Sequence, residues 1–144
     1  MGILKFSVKA ESENSTKTIV EARKFKMIID EPESLGGTDD GANPVEYILA
    51  AFAGCLNVIG HVVAKEMGFK LDGIQFELDG DLDPSKFLGK SNAERAGYKE
   101  IRVNINPNTD VDKETLDKWL TIIKDRCPVS DNIANLTPVK ISLV

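Results

Sequence analysis

Two cysteines are the side chains of this sequence best suited to chemistry. Cys55 lies in a long apolar run, and Cys127 lies far beyond it, directly before a proline. His61 is the only histidine, which excludes a multi-histidine metal centre, and two thiols cannot supply the four ligands of a structural zinc site. If the protein is an enzyme, we therefore expect sulfur chemistry. We also expect that this chemistry requires no metal, flavin or haem cofactor.

Size and charge narrow the class of protein. A chain of 144 residues has the usual length of one domain, so we expect a single domain over residues 1–144. The net charge of −5, with lysines and arginines spread along the chain, argues against a nucleic-acid partner. The start shows no secretory signal pattern, so we expect a cytoplasmic protein whose thiols are kept reduced.

The central apolar segment starts with a strong helix signal. Asn43 suits the N-cap, Pro44 the first helical position, and Glu46 the acidic position of a capping box. The pattern predicts a helix from there to about Met67, ending at Gly68. Its apolar length approaches that of a membrane span, but no lysine or arginine lies on the flank just before it, so we expect a buried helix and no membrane contact.

This helix has two different faces at 100° per residue. The bulky face comprises Ile48, Phe52, Cys55, Ile59 and Val62. The face of mostly small residues comprises Ala50, Ala53, Gly54, Asn57, Gly60 and Ala64. We expect an amphipathic helix of the same chain on one face and a second copy, in a C2 homodimer, on the other. Alternatively, the sheets of the chain itself cover both faces.

The remaining segments predict strands and short helices. Before the helix, period-two patterns favour strands at residues 3–10, 18–22 and 25–29, followed by a long loop over 30–42. After it, the expected elements are strands at 74–82 and 101–105, an amphipathic helix capped by Asp112, a short helix after Cys127, and a last strand at 139–144. The sequence therefore predicts a mixed α+β fold.

The two cysteines differ in their local electrostatics. Cys55 lies about three turns past the helix start, beyond the reach of the helix dipole, so its ionisation requires a neighbouring cation. Cys127 suits the N-cap of a short helix and adjoins Arg126, and both features favour a thiolate. On these local features alone, Cys127 is the better thiolate.

Five motifs follow one another along nearly the whole chain. They are Asp30-Glu31-Pro32 with Leu35-Gly36-Gly37, Asn43-Pro44-Val45-Glu46-Tyr47, Ala50-Ala51-Phe52-Ala53-Gly54-Cys55, Arg95-Ala96-Gly97-Tyr98, and Cys127-Pro128-Val129. Together they resemble the OsmC/Ohr family of thiol-dependent hydroperoxide reductases, and its OsmC-like redox-protein branch in particular. This resemblance implies antiparallel strands wrapped around central helices in an interlocked homodimer.

The resemblance also implies a peroxiredoxin-type activity linked to oxidative stress. Cys55 would attack an organic hydroperoxide as a thiolate and become a sulfenic acid. Cys127 would condense with that sulfenic acid to form a disulfide, which a dithiol reductant then reduces. By the same resemblance, Cys55 is the attacking sulfur in spite of its weaker local electrostatics.

Four more residues acquire roles from the resemblance. Arg23 and Arg95 are the candidates for the cation beside the thiol, and Arg95 also belongs with Phe52 to the expected substrate-binding residues. Glu46 is assigned to the catalytic group, although its capping-box position explains it without chemistry.

Two other functions remain open. Val45 replaces the acidic residue that the best-characterised peroxidase branches have after the Asn-Pro pair. The thiols could therefore serve a redox or sulfur-handling protein that acts on persulfides or disulfides. In a third interpretation, the protein is a binding module and Cys55 only lines its pocket.

Overall fold

A computed structural model describes all residues, 1–144. Its helices and strands are β1 (Lys9–Ser12), β2 (Thr18–Ala22), β3 (Phe25–Ile29), α1 (Pro44–Glu66), β4 (Gly73–Asp81), β5 (Glu100–Asn108), α2 (Lys113–Arg126) and α3 (Pro128–Ala134). All strand pairs are antiparallel, which confirms the mixed α+β class. The chain divides into two compact units, Met1–Ala50 and Ala51–Val144, and α1 runs from the first into the second. The single-domain assignment stays a prediction.

The first unit holds the predicted meander, β1-β2-β3. Strands β2 and β3 match the prediction, but the strand expected at residues 3–10 is wrong, because β1 begins only at Lys9. The register pairs Lys9 with Glu21, and β2 ends at Ala22, so residues before Lys9 have almost no partner strand left. At the other end, the Asn14 side chain accepts backbone N–H bonds that close the hairpin.

The loop after β3 is organised by one buried carboxylate. Asp30 is 0% exposed and accepts backbone N–H bonds from Glu31 (2.8 Å), Thr38 (3.1 Å) and Asp40 (3.2 Å). The Thr38 hydroxyl donates a fourth bond of 2.7 Å. The Thr38 bond, followed by the backbone bonds, holds the pKa of Asp30 well below its usual range. An ionised carboxylate thus satisfies the backbone of a loop that has no strand partner.

Two glycines in this loop are required by its geometry. Gly36 has a φ of 87°, a left-handed conformation that ordinary side chains rarely adopt. A Cβ on Gly37 would lie 1.8 Å from the Glu31 carbonyl oxygen, so no side chain fits there. The Gly36-Gly37 pair of the sequence motif therefore has a steric cause.

Helix α1 begins with the predicted capping box. The Asn43 backbone N–H donates to the Glu46 carboxylate at 2.8 Å, and the Glu46 N–H donates to the Asn43 side chain at 2.9 Å. One residue further, the Tyr47 hydroxyl donates to the Ile28 carbonyl, which ties the helix start to β3 within the first unit. The helix ends just before Gly68, whose φ is 77°.

The core of the second unit forms where α2 packs on α1. Its buried residues are Val63, Ala64, Trp119 and Ile123. The Trp119 indole N–H donates to the Gly60 carbonyl at 2.9 Å, and a Cβ on Gly60 would lie 2.7 Å from Ile74. Gly60 therefore lets the Trp119 indole and β4 approach the backbone of α1. The packing of α2 against α1 agrees with the amphipathic pattern of α2.

Only part of α1 is covered within a single chain. Its buried residues are Leu56, Gly60, Val63 and Ala64, and the predicted burial of a second face by another copy of the chain stays a prediction. Val58 is 64% exposed and Val62 is 41% exposed.

By length and composition, α1 is also long and apolar enough to cross a membrane. Within its most apolar 18-residue stretch, 22% is buried inside the chain. Core helices of water-soluble proteins meet the same criterion.

The strand expected at residues 139–144 is absent from the structure. The apolar side chains at alternate positions, Val139, Ile141 and Leu143, are 77–102% exposed. Alternation marks a segment that suits a half-buried strand, but a strand also needs a neighbour for its backbone hydrogen bonds. No strand of the same chain pairs with this segment.

Candidate active site

The second unit brings its two cysteines into contact. Cys55 lies in the middle of α1, Cys127 follows the last residue of α2, and their Sγ atoms are 3.1 Å apart. Both are free thiols. A disulfide bond is about 2.05 Å long, so a small movement is enough to form one. The expected proximity of the sulfurs is confirmed, while their catalytic roles stay a prediction.

Local structure on the Cys127 side fixes the position of its sulfur. Cys127 has an extended backbone (φ −80°, ψ 111°) between α2 and α3, and Pro128 occupies the first turn of α3. Its Sγ accepts the Ser130 backbone N–H at 3.4 Å, which confirms the predicted N-cap. Arg126 forms a two-bond pair with Glu66, so the end of α2 is tied to the end of α1.

The two thiols differ in exposure. Cys127 is 1% exposed, whereas Cys55 is half-buried. Burial and, next, the hydrogen bond with Cys55 raise the pKa of Cys127, against a smaller opposite effect of the Ser130 N–H. The local features of Cys127 therefore do not produce the thiolate that they favour. Its N-cap is present, but burial outweighs the cap and Arg126 is engaged by Glu66.

Two of the predicted site residues lie in the first unit. Arg23 occupies the turn between β2 and β3 with a left-handed φ of 57°, and its guanidinium lies over the Phe25 ring at 5.1 Å. Glu46 is engaged in the capping box with Asn43. The catalytic roles assigned to Arg23 and Glu46 stay predictions.

The two expected substrate-binding residues lie in the second unit. Phe52 is half-buried on α1, one turn before Cys55. Arg95 is exposed in the stretch between β4 and β5, and its guanidinium folds back toward Gly97. No hydrogen bond or ion pair of Arg95 reaches either cysteine. Phe52 therefore lies close to Cys55 along α1. Arg95 forms no hydrogen bond with either cysteine.

Ser130 is a member of the site that the sequence analysis did not name. It acts through its backbone N–H, which carries no side-chain signature. Its position three residues after a predicted N-cap could have indicated it, because the backbone N–H at that position donates to the cap.

No three histidine, cysteine or acidic side chains come together in an arrangement that could hold a metal ion.

Comparison with known proteins gives one family and a shared fold. Residues 37–142 match the model of the OsmC-like protein family. No curated protein matches the chain significantly. Solved structures do match, and they include organic hydroperoxide resistance proteins.

Three of these structures illustrate the likeness. The OsmC-like protein from Mycoplasma pneumoniae is 14% identical with a TM-score of 0.80, and the match covers 92% of this chain and 89% of that one. The organic hydroperoxide resistance protein OsmC from Legionella pneumophila is 18% identical with a TM-score of 0.68, over 92% and 91%. The organic hydroperoxide resistance protein from Elizabethkingia anophelis is 19% identical with a TM-score of 0.66, over 90% and 88%.

At these identities the solved structures establish only the fold of this chain. The match to the family model establishes that the chain belongs to the family. The matched residues 37–142 include Cys55, Cys127 and the helices that carry them. This chain, with its paired thiols on an α+β scaffold, therefore belongs to the OsmC-like protein family.

Proposed function

We propose that this protein reduces organic hydroperoxides with Cys55 and Cys127. The observation that carries the proposal is the sulfur pair itself, with Sγ atoms 3.1 Å apart and unequal burial. An accessible thiol beside a hidden one suits a cycle in which the first sulfur meets the substrate and the second closes a disulfide. The hydroperoxide resistance proteins of the same fold support the choice of substrate class.

In the first step, the Cys55 thiolate attacks the terminal oxygen of the hydroperoxide. An S–O bond forms, the O–O bond breaks, and the alkoxide takes up a proton and leaves as an alcohol. In the second step, the Cys127 sulfur attacks the Cys55 sulfenic acid. An S–S bond forms, the S–O bond breaks, and the hydroxide leaves as water with the Cys127 proton. A dithiol reductant then restores both thiols by exchange.

The unequal exposure of the two sulfurs supports their proposed order in this cycle. Cys55 is half-buried and can meet a substrate, whereas Cys127 is 1% exposed and its raised pKa keeps it protonated at neutral pH. Phe52, one turn before Cys55, offers an aromatic surface to the organic group of the substrate. Arg23 and Arg95 stay the candidates for a cation that assists the attack.

The test is a thiol count after exposure to peroxide. We expect reduced protein mixed with excess cumene hydroperoxide to lose both of its free thiols, because each cycle ends in a disulfide. The measurement is the reaction of residual thiols with a chromogenic disulfide under denaturing conditions. Two thiols persisting after excess peroxide would rule out the proposal. Loss of both thiols with a persulfide or disulfide substrate alone would indicate the sulfur-handling alternative.

We also propose that the protein is a homodimer in a reducing, cytoplasmic environment. The exposed apolar face of α1, with Val58 and Val62, and the exposed apolar end at residues 139–144 support a second copy as the cover. Light scattering on a size-exclusion column should then give twice the chain mass of 15.8 kDa. Val58→Glu should shift the mass toward one chain, and a monomeric wild type at micromolar concentration would contradict the dimer.

A further inference from the structure

We propose that Cys127 activates Cys55 before any peroxide arrives, by donating an S–H hydrogen bond to the Cys55 thiolate. The inference rests on the proposed function in one respect, namely that Cys55 is the attacking sulfur. It gives Cys127 a second role, earlier in the cycle than disulfide formation. Because its thiol touches the reacting sulfur, Cys127 would be a catalytic residue in both steps.

The contacts of Cys127 favour Cys55 as the acceptor of its proton. The Sγ atoms of the two thiols lie 3.1 Å apart, within hydrogen-bonding distance, and a thiol can both donate and accept. On another side, the Cys127 sulfur accepts the Ser130 backbone N–H at 3.4 Å. Because the Cys127 sulfur already accepts one hydrogen bond and is 1% exposed, water is not available to its proton. The Cys55 sulfur is then the acceptor for that proton.

Other donors to the Cys55 sulfur are missing from the second unit. Arg126, the neighbour of Cys127 in sequence, gives its guanidinium to Glu66. Arg95 is exposed and makes no hydrogen bond to either sulfur. The N-terminus of α1 lies about three turns from Cys55, beyond the reach of its dipole. Within this unit, the thiol of Cys127 is therefore the hydrogen-bond donor available to a Cys55 thiolate.

Burial keeps the donor in the required protonation state. It raises the pKa of the Cys127 thiol, so the proton stays on this sulfur at neutral pH. An ionised Cys127 could not donate, and it would repel a second thiolate 3.1 Å away. A hydrogen bond to a charged acceptor is stronger than one between neutral groups, and the low polarity of a buried site increases it further.

The experiment compares Cys127→Ala, which removes the donor, with Cys127→Ser, which retains a hydroxyl donor. The measurement is the rate of Cys55 alkylation by iodoacetamide as a function of pH, with the modified residue identified by peptide mass. We expect alkylation at pH 7 to fall about tenfold in Cys127→Ala and to stay near the wild-type rate in Cys127→Ser.

Two results would overturn the inference: an alanine variant that reacts as fast as the wild type, or a serine variant as slow as the alanine variant. Thermal melts verify that both variants fold, and Cys127→Val replaces Cys127→Ala if the latter melts below the assay temperature. Since alkylation involves no peroxide, its outcome is independent of the proposed function. A tenfold difference without any peroxide reduction would sink the proposed function and leave this inference standing.

Discussion

Cys55→Ser is expected to lower the rate of hydroperoxide reduction by at least about 10³-fold. A serine hydroxyl stays protonated at neutral pH and is a far weaker nucleophile toward oxygen than a thiolate. Cys127 cannot take over the attack, because it is 1% exposed and burial raises its pKa. The measurement is the disappearance of cumene hydroperoxide in the presence of excess dithiol, with each variant at the same concentration.

Cys127→Ser is the matched control for this prediction. It retains Cys55, so the first equivalent of hydroperoxide should still be consumed. Without the second thiol the cycle stops at the Cys55 sulfenic acid, which dimedone traps and mass spectrometry detects. If Cys55→Ser kept turnover within tenfold of the wild type, Cys55 would not be the attacking sulfur.

Trp119→Ala is expected to cost about 3–5 kcal/mol of unfolding free energy. Trp119 is 2% exposed in the core between α1 and α2, and its indole N–H satisfies the Gly60 carbonyl. Its loss leaves a large cavity and removes this hydrogen bond. The cost is a large part of the 5–15 kcal/mol that stabilises a typical domain. Urea unfolding followed by circular dichroism measures it.

Leu120→Ala is the control for the tryptophan. Leu120 follows Trp119 on the same helix but is 38% exposed, so its truncation should cost clearly less than that of Trp119. Equal losses for the two variants would show that the packing of α2 on α1 does not depend on Trp119. Since α2 leads directly into Cys127, the tryptophan variant should also slow disulfide formation.

Features with local causes could be predicted from the sequence. The capping box of Asn43 and Glu46 and the glycine stop at Gly68 depend on residues within one helical turn. The alternation of β4 and β5 and the apolar stripe of α2 are equally local patterns, and these elements form close to the expected positions. Each signal lies within its own element, and β4 and β5 also pair with each other in the structure.

Features that depend on distant partners could not be predicted in this way. Period-two alternation favours a strand at residues 139–144, but the backbone has no neighbour in the same chain. The N-cap and Arg126 favour a thiolate at Cys127, yet burial beside α1 and the pairing of Arg126 with Glu66 reverse that preference. Burial and pairing are set by tertiary packing, which no local window contains.

The sulfur contact illustrates the same limit. Nothing in the spacing of Cys55 and Cys127 gives a distance, and the expectation of contact came from the family resemblance. In the structure, the contact has an identifiable cause. Trp119 holds α2 against α1 at Gly60, and the pair between Arg126 and Glu66 ties the helix ends together. Cys127 then follows at the point where α2 stops.

The central claim is that the two thiols act as one unit toward hydroperoxides. Peptide mapping after one equivalent of cumene hydroperoxide, without added reductant, tests it most directly. We predict an intrachain disulfide that joins the peptides of Cys55 and Cys127 as the main product. A main product in which Cys127 is still free, with Cys55 either unchanged or oxidised beyond the sulfenic acid, would contradict the claim.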